Sequence, residues 1–224
     1  NEDTSDELHR DLLPGAGCFS FYTSHVLGCG ELGCVVTSTP EIARLVRSLK
    51  DQGRYHIRSS NHVEERNSVP PQERYRHSDL GWNFRTTDLQ ASLLLGALGH
   101  LEDVIKKRQA NILRMNELLR SLEQEEILLL PEFSKNVSYL AYPIVCCQSS
   151  LRDKLMIGLE ELGIETRPLM SLIPDEEATM GRVKIPRGFK RAKDIHSRGF
   201  YISCHESLKS EDLDYVAEAF RKII

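Results

Sequence analysis

Ser20-Phe-Tyr-Thr-Ser-His25-Val-Leu-Gly-Cys-Gly30-Glu-Leu-Gly33 is the stretch on which the reading of this chain turns. It offers a hydroxyl, then a histidine five residues later, then a glycine-bearing turn. The runs FSFYTSH and ELGCVVT on either side are short and apolar, which suits a strand pair or a strand and loop. Alone, the histidine settles nothing, because a single His is more often structural than catalytic.

Downstream, Thr39-Pro40 opens a helix. Proline is tolerated at the first helical position, and Ile42, Leu45, Val46 and Leu49 recur at helical spacing, so residues 40 to 51 are predicted as an amphipathic helix. From Asp51 to Leu80 the sequence is polar and lacks periodicity, which marks a long loop of the kind that tends to be functional or mobile. Thr87-Asp-Leu-Gln90 fits a capping box before an apolar helix through Leu98. Residues 101 to 123 set Leu101, Val104, Ile105, Ile112, Met115, Leu118, Leu119 and Leu122 along one stripe, with Glu, Lys and Arg opposite. That stripe suits intersubunit or core packing.

After Pro131, VSYLAYPIVCC reads as a buried strand, LRDKLMIGLEEL as a helix, Gly163-Ile-Glu-Thr as a stop and second strand, and GFYISC as a third. Ser210 is expected to cap a final helix with Leu213, Val216, Ala217 and Phe220 on one face. The pattern divides the chain into residues 1 to 130, which include the long helix, and a small α/β unit over 131 to 224.

Composition removes several classes. With 29 Lys and Arg against 33 Asp and Glu, the formal charge is -4, which argues against a sequence-independent grip on nucleic acid. No apolar run is long enough to cross a bilayer, so no membrane role is expected and the protein is read as cytoplasmic. The six cysteines match no zinc pattern, so no metal is expected and the thiols are read as buried and reduced. The chain opens on Asn1 in the acidic phrase NEDTSDEL without an initiator Met, and an upstream segment is expected.

The opening stretch resembles the SF-x-x-x-K-x-x-x-x-GEGG segment of the DegT-type nucleotide-sugar aminotransferases. In that family the lysine binds pyridoxal phosphate and the serine five residues earlier holds its phosphate. Glu2-Asp3-Thr-Ser-Asp6 resembles the ED-x-x-(Q/H/D) signature, and Gly81-Trp-Asn83-Phe-Arg85-Thr-Thr-Asp88-Leu-Gln90-Ala91 is similar to GYN-x-R-x-(S/T)-D-(L/M)-QA. Leu162-Gly-Ile-Glu-Thr-Arg-Pro168 and the closing strand and helix also look like the family's small domain. The resemblance spans essentially the whole chain. It implies an α/β fold, the carboxy-terminal part of the fold type I aminotransferase architecture, with a large-domain remnant and a small α/β domain.

By that resemblance Asp3 pairs with the pyridine nitrogen, keeping the ring an electron sink, and Asp6 approaches the ring oxygen. Ser20 binds the cofactor phosphate, and Asn83 reaches the phosphate of the neighbouring subunit in a homodimer with shared sites. Residue by residue, plainer alternatives stand beside these roles. Asp3 could be a solvated acid, Ser20 the end of a strand and Asn83 a turn residue.

His25 stands where those relatives keep lysine. Imidazole cannot hold the cofactor covalently as lysine does, so pyridoxamine phosphate is the expected resting form. Its ordinary pKa lets one side chain both take and deliver a proton near neutrality. The resemblance therefore narrows to the histidine branch, the 4-keto-6-deoxyhexose 3-dehydrases acting on nucleotide-linked sugars. There His25 would take a proton from the cofactor's C4′ and protonate the departing C3 hydroxyl. Some members of that branch bind an iron-sulfur cluster through cysteines near the long loop. Residues 35 to 145 hold no Cys. The expectation is a cluster-free dehydratase that regenerates its amine from L-glutamate.

Three features depart from the family pattern: Leu32 replaces a glycine of GEGG, the span from Asp3 to Ser20 is shorter than usual, and the family's Gly-Thr phosphate loop and ring-stacking aromatic lie upstream. An aminotransferase relative with another base, or a non-catalytic dimerisation or regulatory subunit, are the rival readings.

Overall fold

A computed structural model describes residues 15–55, 69–73, 75–169, 171–173, 176–179, 181–182 and 189–224. Asp3 and Asp6 lie outside the described residues. The chain packs as two units, 1–99 and 100–224, each with its own internal contacts.

In the first unit, β1 (Gly17–Ser20) and β2 (Gly33–Val36) form an antiparallel pair in the register Gly17↔Val36 to Ser20↔Gly33. The expected strand pair is thus present, and the turn between its strands carries His25. Helix α1 (Pro40–Lys50) begins with proline in its first turn and Thr39 as N-cap. Helix α2 (Asp88–Leu98) has the predicted capping box. The Thr87 hydroxyl accepts from the Gln90 N–H at 3.3 Å, and the Gln90 side-chain oxygen accepts from the Thr87 N–H at 3.1 Å. Its side chains Leu89, Leu93 and Leu95 are exposed in this chain.

The ends of the long loop are tied together just beyond α1. Gln52 N–H donates to the Trp82 carbonyl, Trp82 N–H to Leu49 and Phe84 N–H to Lys50. Buried Ser48 donates its hydroxyl to Asp79 at 2.9 Å, and with Ser78 this holds the Asp79 carboxyl below its usual range. Two glycines let the strands of this closure touch. Gly53 has φ +78°, and a Cβ there would lie 1.8 Å from the Asp79 carbonyl oxygen, while one on Gly81 would lie 2.2 Å from Gly53 N. Gly53→Ala is expected to destabilise the protein by about 1–3 kcal/mol, because it adds backbone strain at a place with no room to relax. Thermal melting of the whole protein checks this.

The second unit is built on a sheet of order β3-β4-β6-β5 in which every pairing is antiparallel. Its elements are α3 (Leu101–Gln124), β3 (Leu128–Leu129), β4 (Tyr142–Cys146), α4 (Ser149–Glu161), β5 (Thr166–Pro168), α5 (Lys190–Arg198), β6 (Gly199–Ile202) and α6 (Ser210–Ile223). On β4, Tyr142, Ile144 and Cys146 are buried and alternate with less buried residues, as one covered sheet face requires. Helices α3, α4 and α6 supply the cover: Met115, Leu119, Leu155, Leu159, Ala217 and Phe220 belong to one core. Phe200 on β6 stacks on Phe220 with centroids 6.3 Å apart.

The structure differs from the sequence reading at four points. The long helix α3 packs within the second unit, so the units divide between Gly99 and His100 and not at residue 130. The reason is that Ile112, Met115, Leu119 and Leu122 face the sheet and α6. Arg108, counted on the polar side of α3, is 2% exposed and shares the buried face. Helix α5, a polar stretch with no buried residue and hence no apolar stripe, was not anticipated. Ser210 is the first helical residue of α6 and not its cap. The N-cap is Lys209, whose N–H donates to the Asp212 carboxylate at 2.8 Å.

All six cysteines are free. Cys29, Cys146 and Cys204 are buried as expected, but Cys18 and Cys34 are exposed on the strand pair. Burial pushes the Cys146 and Cys204 thiols up to about 11. Among the described residues no helix is long and apolar enough to cross a membrane, and no cluster of metal-ligating side chains occurs.

Candidate active site

The turn from Ser20 to Gly33 is closed by its own backbone. Phe21 N–H donates to Leu32, Cys29 N–H donates to Phe21, and His25 N–H donates to Tyr22 at 2.8 Å. A Cβ on Gly28 would fall 2.3 Å from the Thr23 carbonyl oxygen, so glycine is what allows the loop to fold tightly around His25. The His25 ring is half-buried and stands edge-on to Tyr22, with centroids 5.8 Å apart. Leu32 does not adopt a positive φ. The leucine therefore fits an ordinary backbone conformation where the resemblance led us to expect glycine.

A cleft of about 700 Å³ opens beside this turn, lined by Ser20, Tyr22, His25 and Glu31 and, across it, by Asn83 and Arg85. The structure thus gathers Ser20, His25 and Asn83, three residues more than 60 positions apart at the extremes, around one space. Gln90 fastens the two sides. Its side-chain nitrogen donates to the Glu31 carbonyl at 3.0 Å, so the residue that completes the α2 capping box also ties α2 to the His25 turn.

Ser20 Oγ accepts from Tyr22 N–H at 3.3 Å, which leaves the hydroxyl proton for a ligand. Arg85 Nε donates to Asn83 Oδ1 at 2.9 Å and lies 3.4 Å from Asp51 Oδ1. Asp51 is buried, and its backbone is bridged to Asn83. The sequence reading missed Asp51 and Arg85 as site residues. The Arg of the GYN-x-R string was the available signal for one; nothing in a polar loop singles out Asp51. A serine hydroxyl, a carboxamide and a guanidinium around one cleft form a donor set suited to a phosphate. The residues present therefore fit the phosphate end of pyridoxal phosphate.

A second, apolar groove of about 1120 Å³ runs behind the strand pair, lined by residues such as Phe19, Val35, Val46, Leu49, Trp82 and Leu94. Lys50 lines this groove and not the cleft.

Residues 13–221 match the sequence profile of the DegT/DnrJ/EryC1/StrS aminotransferase family. The chain belongs to that family. The family comprises enzymes that depend on pyridoxal phosphate, and nucleotide-sugar aminotransferases and 3-dehydratases are both among its members. The lipopolysaccharide biosynthesis protein RfbH of Salmonella typhimurium is 29% identical over 222 residues, covering 92% of this chain and 50% of that protein. The dTDP-4-dehydro-2,6-dideoxy-D-glucose 3-dehydratase of Saccharopolyspora spinosa is 28% identical over 253 residues, covering 100% of this chain and 52% of that one. In fold the chain is similar to the E. coli GDP-4-keto-6-deoxy-D-mannose-3-dehydratase with bound hydrated PLP, with TM-score 0.73, 19% identity, and coverage of 92% of this chain and 54% of that chain. The chain spans about half the length of the curated relatives it matches.

Proposed function

We propose that the protein is a dehydratase that removes the C3 hydroxyl from a nucleotide-linked 4-keto-6-deoxyhexose, with pyridoxamine phosphate as cofactor and L-glutamate as amino donor. The observation that carries this reading is the place of His25. It lines the same cleft as Ser20 and Asn83, and among the described residues no lysine lines that cleft. A transferase of this family needs a lysine there, and Lys50 faces the apolar groove instead.

In this reading Ser20 binds the phosphate of its own subunit's cofactor, Asn83 reaches that of the neighbouring subunit, and Asp3 and Asp6 address the ring. The cofactor, when bound, supplies the electron sink for a carbanion beside its ring. The chain's own work is proton movement. An imidazole nitrogen of His25 takes a proton and returns it to the departing hydroxyl oxygen at C3 of the sugar, so that the leaving group departs as water. The tightly closed turn holds the ring at the cleft wall, where a displacement of an ångström would be costly to such a transfer. In the homodimer of this reading, the exposed Leu89, Leu93 and Leu95 of α2 supply apolar surface for a second copy.

The whole gene product, incubated with a panel of nucleotide-linked 4-keto-6-deoxyhexoses and glutamate, is expected to release ammonia in step with a 3-deoxy sugar. An amino sugar formed without ammonia would make it a transferase. A reconstituted protein that retains no cofactor absorbance would overturn both enzyme readings.

A further inference from the structure

The geometry points to Asp51 and Arg85 as positioning residues that fix the Asn83 carboxamide with its NH2 group free to donate to a cofactor phosphate, the one that the family pattern places in the neighbouring subunit. This rests on the reading of Asn83 as a cofactor-phosphate ligand.

A carboxamide can present either its oxygen or its nitrogen, and only the nitrogen can donate to a phosphate. Here the choice is made by a neighbour. Arg85 Nε donates to Asn83 Oδ1 at 2.9 Å. A guanidinium has donors and no acceptor, so the Asn83 atom facing it must be the oxygen, and Nδ2 is turned the other way. Among the described residues, no hydrogen bond donated by Asn83 Nδ2 to a protein group occurs.

Arg85 is itself half-exposed, with a side chain 50% accessible, and needs something to hold it. Asp51 does so. Its side chain is 9% accessible, and its Oδ1 lies 3.4 Å from Arg85 Nε, while Oδ2 is 3.8 Å from Arg54 NH1. Among the described residues Oδ1 makes no hydrogen bond of its own. A nearly buried carboxylate with an unsatisfied oxygen this close to a guanidinium attracts it by charge, and weak solvation strengthens that attraction. The ends of the relay are also joined through the backbone, because Asp51 and Asn83 face each other in a bridge and the adjoining Gln52 and Phe84 N–H groups close the same ladder. The acid, the guanidinium and the carboxamide therefore form one unit that moves little.

Asp51→Asn removes the charge that holds Arg85 while keeping the shape. Arg85→Gln replaces a donor-only group with one that can face Asn83 either way round, at a side chain that is 50% accessible. Both variants of the whole gene product are made, with Asn83→Ala and the pair Asp51→Asn/Asn83→Ala. Thermal melting identifies those that fold. Binding is measured by equilibrium dialysis with two probes, pyridoxamine phosphate and pyridoxamine, which lacks the phosphate.

The expected result is that Asp51→Asn and Arg85→Gln each weaken pyridoxamine phosphate by about tenfold and leave pyridoxamine unchanged, the loss of one hydrogen bond to a charged group. Asp51→Asn is expected to add nothing once Asn83 is alanine, and Asp51→Glu is expected to recover part of the loss. The relay is overturned if the folded variants weaken both probes alike, or if the effects of Asp51→Asn and Asn83→Ala simply add. If Asn83→Ala itself fails to discriminate between the probes, the phosphate-site reading fails and the relay with it. If Asn83→Ala discriminates and neither relay variant does, the relay alone fails.

Discussion

His25→Asn is expected to lower dehydration by about 10²–10⁴-fold, the usual worth of a positioned general acid and base, while affinity for pyridoxamine phosphate stays within a few fold. Asparagine keeps the size and polarity of the site but cannot accept and release a proton near neutrality. The backbone that carries the residue does not depend on its side chain: the turn is closed by Phe21, Leu32, Cys29 and Tyr22 through main-chain hydrogen bonds and by the close approach of Gly28 to Thr23. A lost rate with retained binding and melting temperature would therefore report chemistry and not collapse. His25→Lys tests the same residue from the other side. A primary amine at this wall can capture pyridoxal phosphate covalently, which borohydride reduction followed by intact-protein mass spectrometry would detect as an added mass. Dehydration is expected to be lost in that variant too. Dehydration that survives both changes would remove His25 as the acid and base, and the reaction class assigned from it would go as well.

Periodicity reveals which residues share a face, and that is why the helices over 40–50, 88–98 and 101–124, and β4, α4, β5, β6 and α6, could be read in advance. It is blind where structure does not come from an apolar stripe. Helix α5 buries no residue, so its sequence carries no signal of that kind. Arg108 is the opposite case. It sits one turn before Ile112 on the buried side of α3, and its charge alone caused it to be placed with the solvated residues. Motif order, by contrast, reached further than periodicity. Ser20, His25 and Asn83 were picked from strings that are distant along the chain, and the fold sets them around one cleft because β1, β2 and the closure after α1 bring their loops together. The residues that organise the cleft were out of reach. Nothing in a polar run distinguishes Asp51 from a solvated acid until its 6% exposure and its distance to Arg85 are known. The capping box at Thr87 was legible as a helix start, but the contact of Gln90 with Glu31 shows that the same residue also fastens the site.

Arg108→Met is expected to destabilise the carboxy-terminal unit by about 2–4 kcal/mol, the cost of leaving the part-buried Glu206 carboxylate and two carbonyls without their donor. The Arg108 side chain is 2% accessible and its Nε donates to Glu206 at 2.8 Å. Its NH1 donates to the Tyr139 and Leu140 carbonyls at 3.3 and 3.1 Å. Methionine fills much of the same volume, so the loss reports the unpaired carboxylate and carbonyls and not a cavity. Neighbouring Asn111 donates to the carbonyls of Cys204 and His205, so α3 grips the segment after β6 at two points and the change should loosen that segment first. The pH dependence carries its own sign. Burial pushes the Glu206 carboxyl up, but a hydrogen bond from its own backbone together with the hydrogen bond and charge of Arg108 outweighs this and holds it below the ordinary 4.5. A carboxyl depressed on folding contributes stability above its unfolded value and loses it as the pH falls through the folded one. The gap in urea midpoint between the natural protein and Arg108→Met should thus be full at pH 7 and shrink below the ordinary carboxylate range, as the natural protein loses a stabilisation that the variant already lacks. A gap under about 1 kcal/mol at pH 7, the range of exposed ion pairs, or one that does not change with pH, would mean that the pair does not hold the two elements together.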